Sequence, residues 1–245
     1  MRHTAVRRAA LTSFAFNLFC LLWLVLAVCV VHEPKSAPVS SEHSTFAEAV
    51  KTEENLPLQL PMEIPCTSLR VESLAIFDGS FYEDGTGRYV ADTAALIVYN
   101  HSSSVIPYAE ILIDTEQGRL AFYAHMLLPQ SYTLVPEFSA QQYQSGDIMG
   151  IYAWHTVARE GNRTPIYITE QDDVTLRIEN GSGRDLFDVT VYFKRFTDGV
   201  YIGGKPFEFT VSSLPAGESV VVSPRYYLSG YSRIIYHKGK HPPDL

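Results

Sequence analysis

The chain repeats itself at a fixed offset, which restricts it to architectures built from two copies of one module. Leu96-Ile97-Val98-Tyr99-Asn100-His101-Ser102 returns 80 positions later as Leu176-Arg177-Ile178-Glu179-Asn180-Gly181-Ser182. The same offset carries Ile106 to Leu186, Ala109 to Val189, Ile111 to Val191 and Ile113 to Phe193. After a short insertion Leu128-Pro129 matches Leu214-Pro215, and then Ser145-Gly146 and Ile151-Tyr152 match Ser229-Gly230 and Ile235-Tyr236. Each block reads as strand or turn, so the repeated unit is a β-module.

Apolar–polar alternation predicts strands over 69–76, 91–99, 108–114, 120–127, 132–135 and 148–155 in the first copy. Turn signals separate them, at Asp78-Gly79-Ser80 and again at Glu83-Asp84-Gly85-Thr86-Gly87. The second copy predicts strands over 165–169, 174–179, 187–196, 207–211, 219–223 and 232–237. Its segment 197–205 is an insertion, read as a hairpin with Asp198-Gly199 and Gly203-Gly204 as successive turn pairs. Short strands punctuated by turns suit an immunoglobulin-like sandwich. The expected fold is therefore all-β, two tandem immunoglobulin-like sandwiches over 63–158 and 163–245.

The second copy carries a resemblance. Asn180-Gly181-Ser182, the strand ending Val189-Thr190-Val191-Tyr192, and the turn Leu214-Pro215-Ala216-Gly217-Glu218-Ser219 resemble bacterial extracellular Ig-like domains of the CARDB and FxLYD groups. In the first copy Pro129-Gln130-Ser131 replaces the Gly-Glu turn. The resemblance implies a β-sandwich used for display or adhesion, and it brings no catalytic residues.

Ahead of the modules, 9–31 is 23 residues without a charge. About 20 apolar residues span the hydrocarbon core, so this run suffices with some tilt. Arg2, Arg7 and Arg8 precede it and no acidic residue occurs before Glu33. The positive-inside rule then predicts a cytoplasmic basic tail (1–8), a single transmembrane helix (9–31) and an extracytoplasmic remainder. A cleaved signal and a lipoprotein signal are the rivals. A cleaved signal has a shorter apolar region, of about 7–15 residues, and in Ala27-Val28-Cys29 the residue Val28 stands where a lipoprotein box wants a small one. Residues 32–62, rich in Pro, Ser and Glu, read as a flexible stalk, with one or two helical turns conceivable over 46–50.

Without residues 1–32 the chain holds 16 basic against 27 acidic residues, a formal charge of −11. That balance repels phosphate backbones, so nucleic acid is not an expected partner. Cys20 and Cys29 fall in the apolar span, leaving Cys66 alone outside it and no disulfide within the modules. Cys66 is read as a small buried apolar residue.

Reactive constellations are sparse. The eight histidines are scattered singly, and there is no Cys-x-x-Cys, nucleophile elbow or phosphate loop. Asp78, Glu83 and Asp84 could line a weak calcium site, but calcium takes about six to eight oxygens and Asp-Gly is first a turn signal. No catalytic, cofactor-binding or metal residue is therefore assigned, and no cofactor is expected. Aromatic side chains with polar tips are the better candidates for contact. Tyr143 and Trp154 stand late in the first copy and Tyr231 late in the second, while Tyr201 sits in the inserted hairpin. Asn100, Asn162 and Asn180 each begin an N-glycosylation pattern, which is also good turn chemistry.

The expected function is a single-pass, membrane-anchored scaffold of the cell envelope that binds a protein or envelope component and is not an enzyme. An accessory subunit of an envelope transport or secretion complex is the alternative.

Overall fold

The computed structural model describes residues 57–156 and 164–241, and before them the backbone of two short strands, β1 (Ser44–Phe46) and β2 (Val50–Lys51). The basic tail, the apolar span 9–31, the first part of the stalk and the junction near 160 lie outside the described residues. Among the described residues every regular element is a strand. The first copy supplies β3 (Met62–Glu63), β4 (Leu69–Phe81), β5 (Arg88–Asn100), β6 (Ile106–Thr115), β7 (Gly118–Leu127), β8 (Ser131–Pro136) and β9 (Ile148–Thr156). The second supplies β10 (Ile166–Glu170), β11 (Leu176–Asn180), β12 (Leu186–Thr197), β13 (Val200–Leu214), β14 (Ser219–Val222) and β15 (Ser232–Lys240).

The two copies share one strand order. In the first, β4-β5-β8 form one sheet and β9-β6-β7 the other. In the second, β10-β11-β14 and β15-β12-β13 repeat those neighbours strand for strand. Alternation decides which side chains go inward: Ile106, Ala109, Ile111 and Ile113 of β6 are buried, while Tyr108, Glu110 and Leu112 between them are half-buried. They meet Leu69, Val71, Leu96, Val98 and Val135 of the facing sheet in one continuous core. The second copy sets Ile166 and Ile178 against Val189, Val191 and Leu214 in the same way. Truncating one such leucine or isoleucine to alanine costs about 2–5 kcal/mol.

The repeat extends to single hydrogen bonds. Asn100 Nδ2 donates to the carbonyls of Ser104 (2.9 Å) and Leu127 (3.0 Å), and its Oδ1 accepts from the amide and hydroxyl of Ser102. Asn180 Nδ2 donates to Arg184 (2.8 Å) and Leu214 (2.9 Å), and its Oδ1 accepts from Ser182 in both ways. Both asparagines are buried, at 1% and 0% exposure. Their amides tie a turn to a neighbouring strand and are not free to carry a glycan in the folded chain. The same bonds correct the alignment. Leu127, paired with Ile106, is the counterpart of Leu214, paired with Leu186; Leu128 is therefore the inserted residue.

Several local readings are overturned. Ser44–Phe46 and Val50–Lys51 lie antiparallel to β9, Leu58 bridges Ile148 and β3 pairs with β4. The described strands within 32–62 therefore pair with the first copy, and Phe46 and Val50 are strand residues. The physical reason is the open edge of β9, whose backbone groups take a partner from the preceding chain. Asp78-Gly79-Ser80 is not a turn but a bulge within β4, between Phe77 and Gly79. Cys66 is exposed, because it occupies the left-handed position (φ 58°) of the turn that Thr67 closes onto the Ile64 carbonyl.

The larger departure is that the copies are not separate beads. β8 runs parallel to β13, with Tyr132, Thr133 and Leu134 beside Val200, Tyr201 and Ile202. This pairing fuses β15-β12-β13 with β8-β5-β4-β3 into a seven-stranded sheet. The inserted segment 197–205 makes the join: only Asp198-Gly199 turn, and Gly203-Gly204 continue β13.

Candidate functional site at the seam of the copies

Glu83 reaches the second copy from the tip of the β4–β5 hairpin. Asp84 organises that tip, accepting from the Thr86 amide (2.9 Å), the Thr86 hydroxyl (2.7 Å) and Arg88 Nε (3.1 Å). These bonds, led by the Thr86 hydroxyl, hold the Asp84 carboxyl down at about 2. Glu83 Oε1 accepts from the Gly204 amide at 2.7 Å and Oε2 from the Lys205 amide at 3.2 Å, while Lys205 Nζ donates to the Glu83 carbonyl. With 4% exposure, the carboxylate is a buried clasp between the copies.

Lys194 completes the clasp. The register of β12 slips between Phe193 and Arg195, so Phe193 and Lys194 are both buried, which strict alternation forbids. Lys194 Nζ donates to the carbonyls of Gly203 (3.1 Å) and Gly204 (3.3 Å). Burial lowers its pKa to about 7, and the Glu83 charge acts in the opposite direction. Burial raises the Glu83 pKa against the pull of the Gly204 amide, Lys194 and Lys205. Gly204 has to be glycine here: a Cβ at that position falls 2.1 Å from the Tyr123 carbonyl and 2.9 Å from Glu83 Oε2.

Beside the clasp an aromatic cluster joins the copies. Tyr82 meets Phe207 edge-on at 4.9 Å and Tyr226 at 5.0 Å, and Phe207 and Tyr226 are 5.3 Å apart. The Arg195 guanidinium lies 5.1 Å from the Tyr82 ring centre and 5.9 Å from that of Phe207, and Nη2 donates to the Tyr82 hydroxyl at 3.2 Å. These groups border a cavity of about 450 Å³ that Phe77, Ile202, Leu228 and Tyr231 also line. The lining is mixed: beside the aromatic and aliphatic side chains stand Asp78, Glu83, Arg195 and Lys205, and an apolar surface with placed charged groups has the make-up of a ligand site.

Of the four aromatics singled out in the sequence, only Tyr231 lines this cavity, and it is 60% exposed. Tyr201 is not on a free loop: it pairs with Thr133 of β8 and packs on Phe196 at 4.9 Å. Tyr143 packs half-buried against the first core. Trp154 belongs to the first copy, donating to Glu110 Oε2 at 2.8 Å and packing tilted against Tyr108 at 4.9 Å. The carboxylates weighed for calcium take separate partners, since Asp78 accepts from the Asp92 amide, Asp84 closes its own turn and Glu83 holds the second copy, and among the described residues they form no group of three possible metal ligands.

Lys194, Arg195, Lys205, Tyr82 and Phe207 had no mark in the sequence reading. Only Gly203-Gly204 carried a usable signal, since paired glycines inside a strand denote close backbone approach as well as a turn. No protein-family model matches the sequence, and no curated protein aligns with it significantly.

Proposed function

We propose that the chain is a non-catalytic binding and scaffold protein, with two immunoglobulin-like sandwiches held outside the cytoplasmic membrane by residues 9–31. The observation that carries this reading is the seam. Two copies of one β-module are locked by shared strands and a buried clasp into a platform, and the platform bears an aromatic cleft. The clasp beside the cleft supports it further: Glu83 accepts from the Gly204 amide and Lys194 donates to backbone carbonyls, an arrangement that stabilises structure and aims neither group at a reacting atom. The −11 charge of residues 33–245 fits a partner that is a protein or envelope component and not a nucleic acid. Its fold relationship to the CARDB and FxLYD groups rests on the turns at Asn180 and Gly217.

Cross-linking the intact protein in its native membrane and identifying what is captured is the deciding experiment. One dominant partner, lost when the cleft is altered and fractionating with the membrane, supports the reading. Capture of a transport or secretion complex through the 9–31 segment, independent of the cleft, replaces it with an accessory-subunit role. A protein recovered as a soluble species beginning near residue 32 removes the anchor.

A further inference from the structure

The cleft has a backbone wall as well as side-chain walls. Four consecutive residues of β4, Phe77 to Ser80, line it. The bulge between Phe77 and Gly79 interrupts the alternation here, and Gly79, which has no side chain, lines the cavity with its backbone. On one side β4 is paired with β5 as far as Phe81. On the other side β3 covers only Arg70 and Val71, and among the described residues no strand pairs with the remainder. An unpaired edge of this kind is a template for an added strand.

The cleft also holds a cation with spare donors. Arg195 is half-buried and gives one hydrogen bond, to the neutral Tyr82 hydroxyl. Among the described residues it forms no ion pair with a carboxylate. The guanidinium carries five N–H donors in a planar fork that matches a carboxylate, and its contacts with the Tyr82 and Phe207 rings, at 5.1 and 5.9 Å from their centres, seat it in the cleft. An apolar floor of Phe207, Tyr226 and Leu228 lies beside it. The volume, about 450 Å³, suits a short peptide segment and not a whole protein surface.

We propose that the cleft captures the C-terminal end of an extended polypeptide: its terminal carboxylate on Arg195, its last apolar side chain against Phe207 and Tyr226, and its backbone along the free edge of β4. The three features together select this ligand. An anion alone needs no sheet edge, an apolar side chain alone needs no arginine, and only a chain end offers a carboxylate and an apolar side chain on the same residue. The inference rests on the binding role proposed above and names the class of ligand for it.

The probe is a fluorescein-labelled pentapeptide, four alanines followed by phenylalanine, as the free acid and as the C-terminal amide. Polarisation is read against the full chain in detergent. The acid binds saturably and about tenfold tighter than the amide, the effect of losing one charge-assisted contact. Arg195→Gln removes that preference while leaving the affinity for the amide unchanged, with a small fall in melting temperature from the lost Tyr82 contact, and N-methylation of the peptide backbone weakens binding in the parent protein. Equal binding of acid and amide, binding of neither, or an undiminished preference in Arg195→Gln overturns the proposal. So does 3-phenylpropionate competing as tightly as the peptide, which assigns the cleft to small aryl acids. If the peptides fail while native-membrane cross-linking still yields a cleft-dependent partner, the ligand class is wrong and the binding role stands.

Discussion

The two copies differ where they touch and agree almost everywhere else. In the first, the β4–β5 hairpin is long, with strands of 13 residues, and its tip presents Tyr82 and Glu83. In the second, the equivalent strands β10 and β11 have five residues each. The reverse holds for the other hairpin: β13 runs 15 residues where its counterpart β7 runs 10. Each copy has extended a different hairpin, and the two extensions interlock as Glu83 meets Gly204 and β13 meets β8. Their cores differ as well. The first is one continuous buried group between its sheets, whereas in the second the buried residues gather around Val189 and around Phe193 and Tyr227, joined by the half-buried Ile168, Phe209, Val222 and Ile234. Divergence after duplication has thus been concentrated in the parts that turn two modules into one body.

The comparison is broken most directly at the clasp. Glu83→Ala leaves the Gly204 and Lys205 amides without their acceptor, at about 1–3 kcal/mol for each group, and takes from the buried Lys194 its charge neighbour, a summed loss read by urea denaturation. The double variant Glu83→Gln, Lys194→Met removes both charges and should recover part of that loss. If Glu83→Ala melts like the parent, the seam is not held by the buried charges.

Next in size are the paired asparagines. Asn100→Ala and Asn180→Ala each take the side-chain donor from one buried carbonyl, that of Leu127 or Leu214, while the Ser104 and Arg184 carbonyls keep the bond from the Ser102 or Ser182 hydroxyl, at a cost of about 1–3 kcal/mol each. Since the two sets of bonds are matched in partner and length, the two losses should be similar when each is measured by chemical denaturation. A cost confined to one copy would show that the repeated turn has kept its geometry but not its role.

A smaller effect is a pH dependence confined to the seam. Lys194 titrates near 7 in the folded chain and at its ordinary 10.5 once unfolded. Between those values the unfolded state binds more protons, so stability rises as pH climbs from about 7 toward 10.5. The raised Glu83 has the opposite sign, losing stability as pH rises above the ordinary carboxylate range. Urea midpoints at pH 7 and pH 9 should differ in the parent protein, and Lys194→Met should abolish the rise between them. An unchanged rise in that variant would assign it to another group.

Smallest is Tyr201→Ala. Its ring packs on Phe196 within the joined sheet, and loss of the aromatic pair costs about 0.5–1.5 kcal/mol beyond the buried area. Melting should fall while partner capture is unaffected, the reverse of what an exposed contact residue on a free loop would give.

What the sequence determined by itself was local and repeated. Strand and turn follow from the period of apolar residues and from Asn, Gly and Pro at turns, because alternation and turn stereochemistry act over two to four residues. For that reason the duplication, the strand positions and the equivalence of Asn100 and Asn180 were all legible. What only the tertiary structure decided was long-range: that β8 lies against β13, that Gly204 passes under the Tyr123 carbonyl, and that Lys194 turns inward. Alternation along Val191, Phe193 and Arg195 puts Lys194 on the outer face, and one bulge reverses it. A bulge is set by what packs on the strand, here Glu83 and the glycine pair 111 and more residues away in one direction and about ten in the other. No window on the sequence holds both, and so the seam, with the cleft it creates, was visible only once the chain was folded.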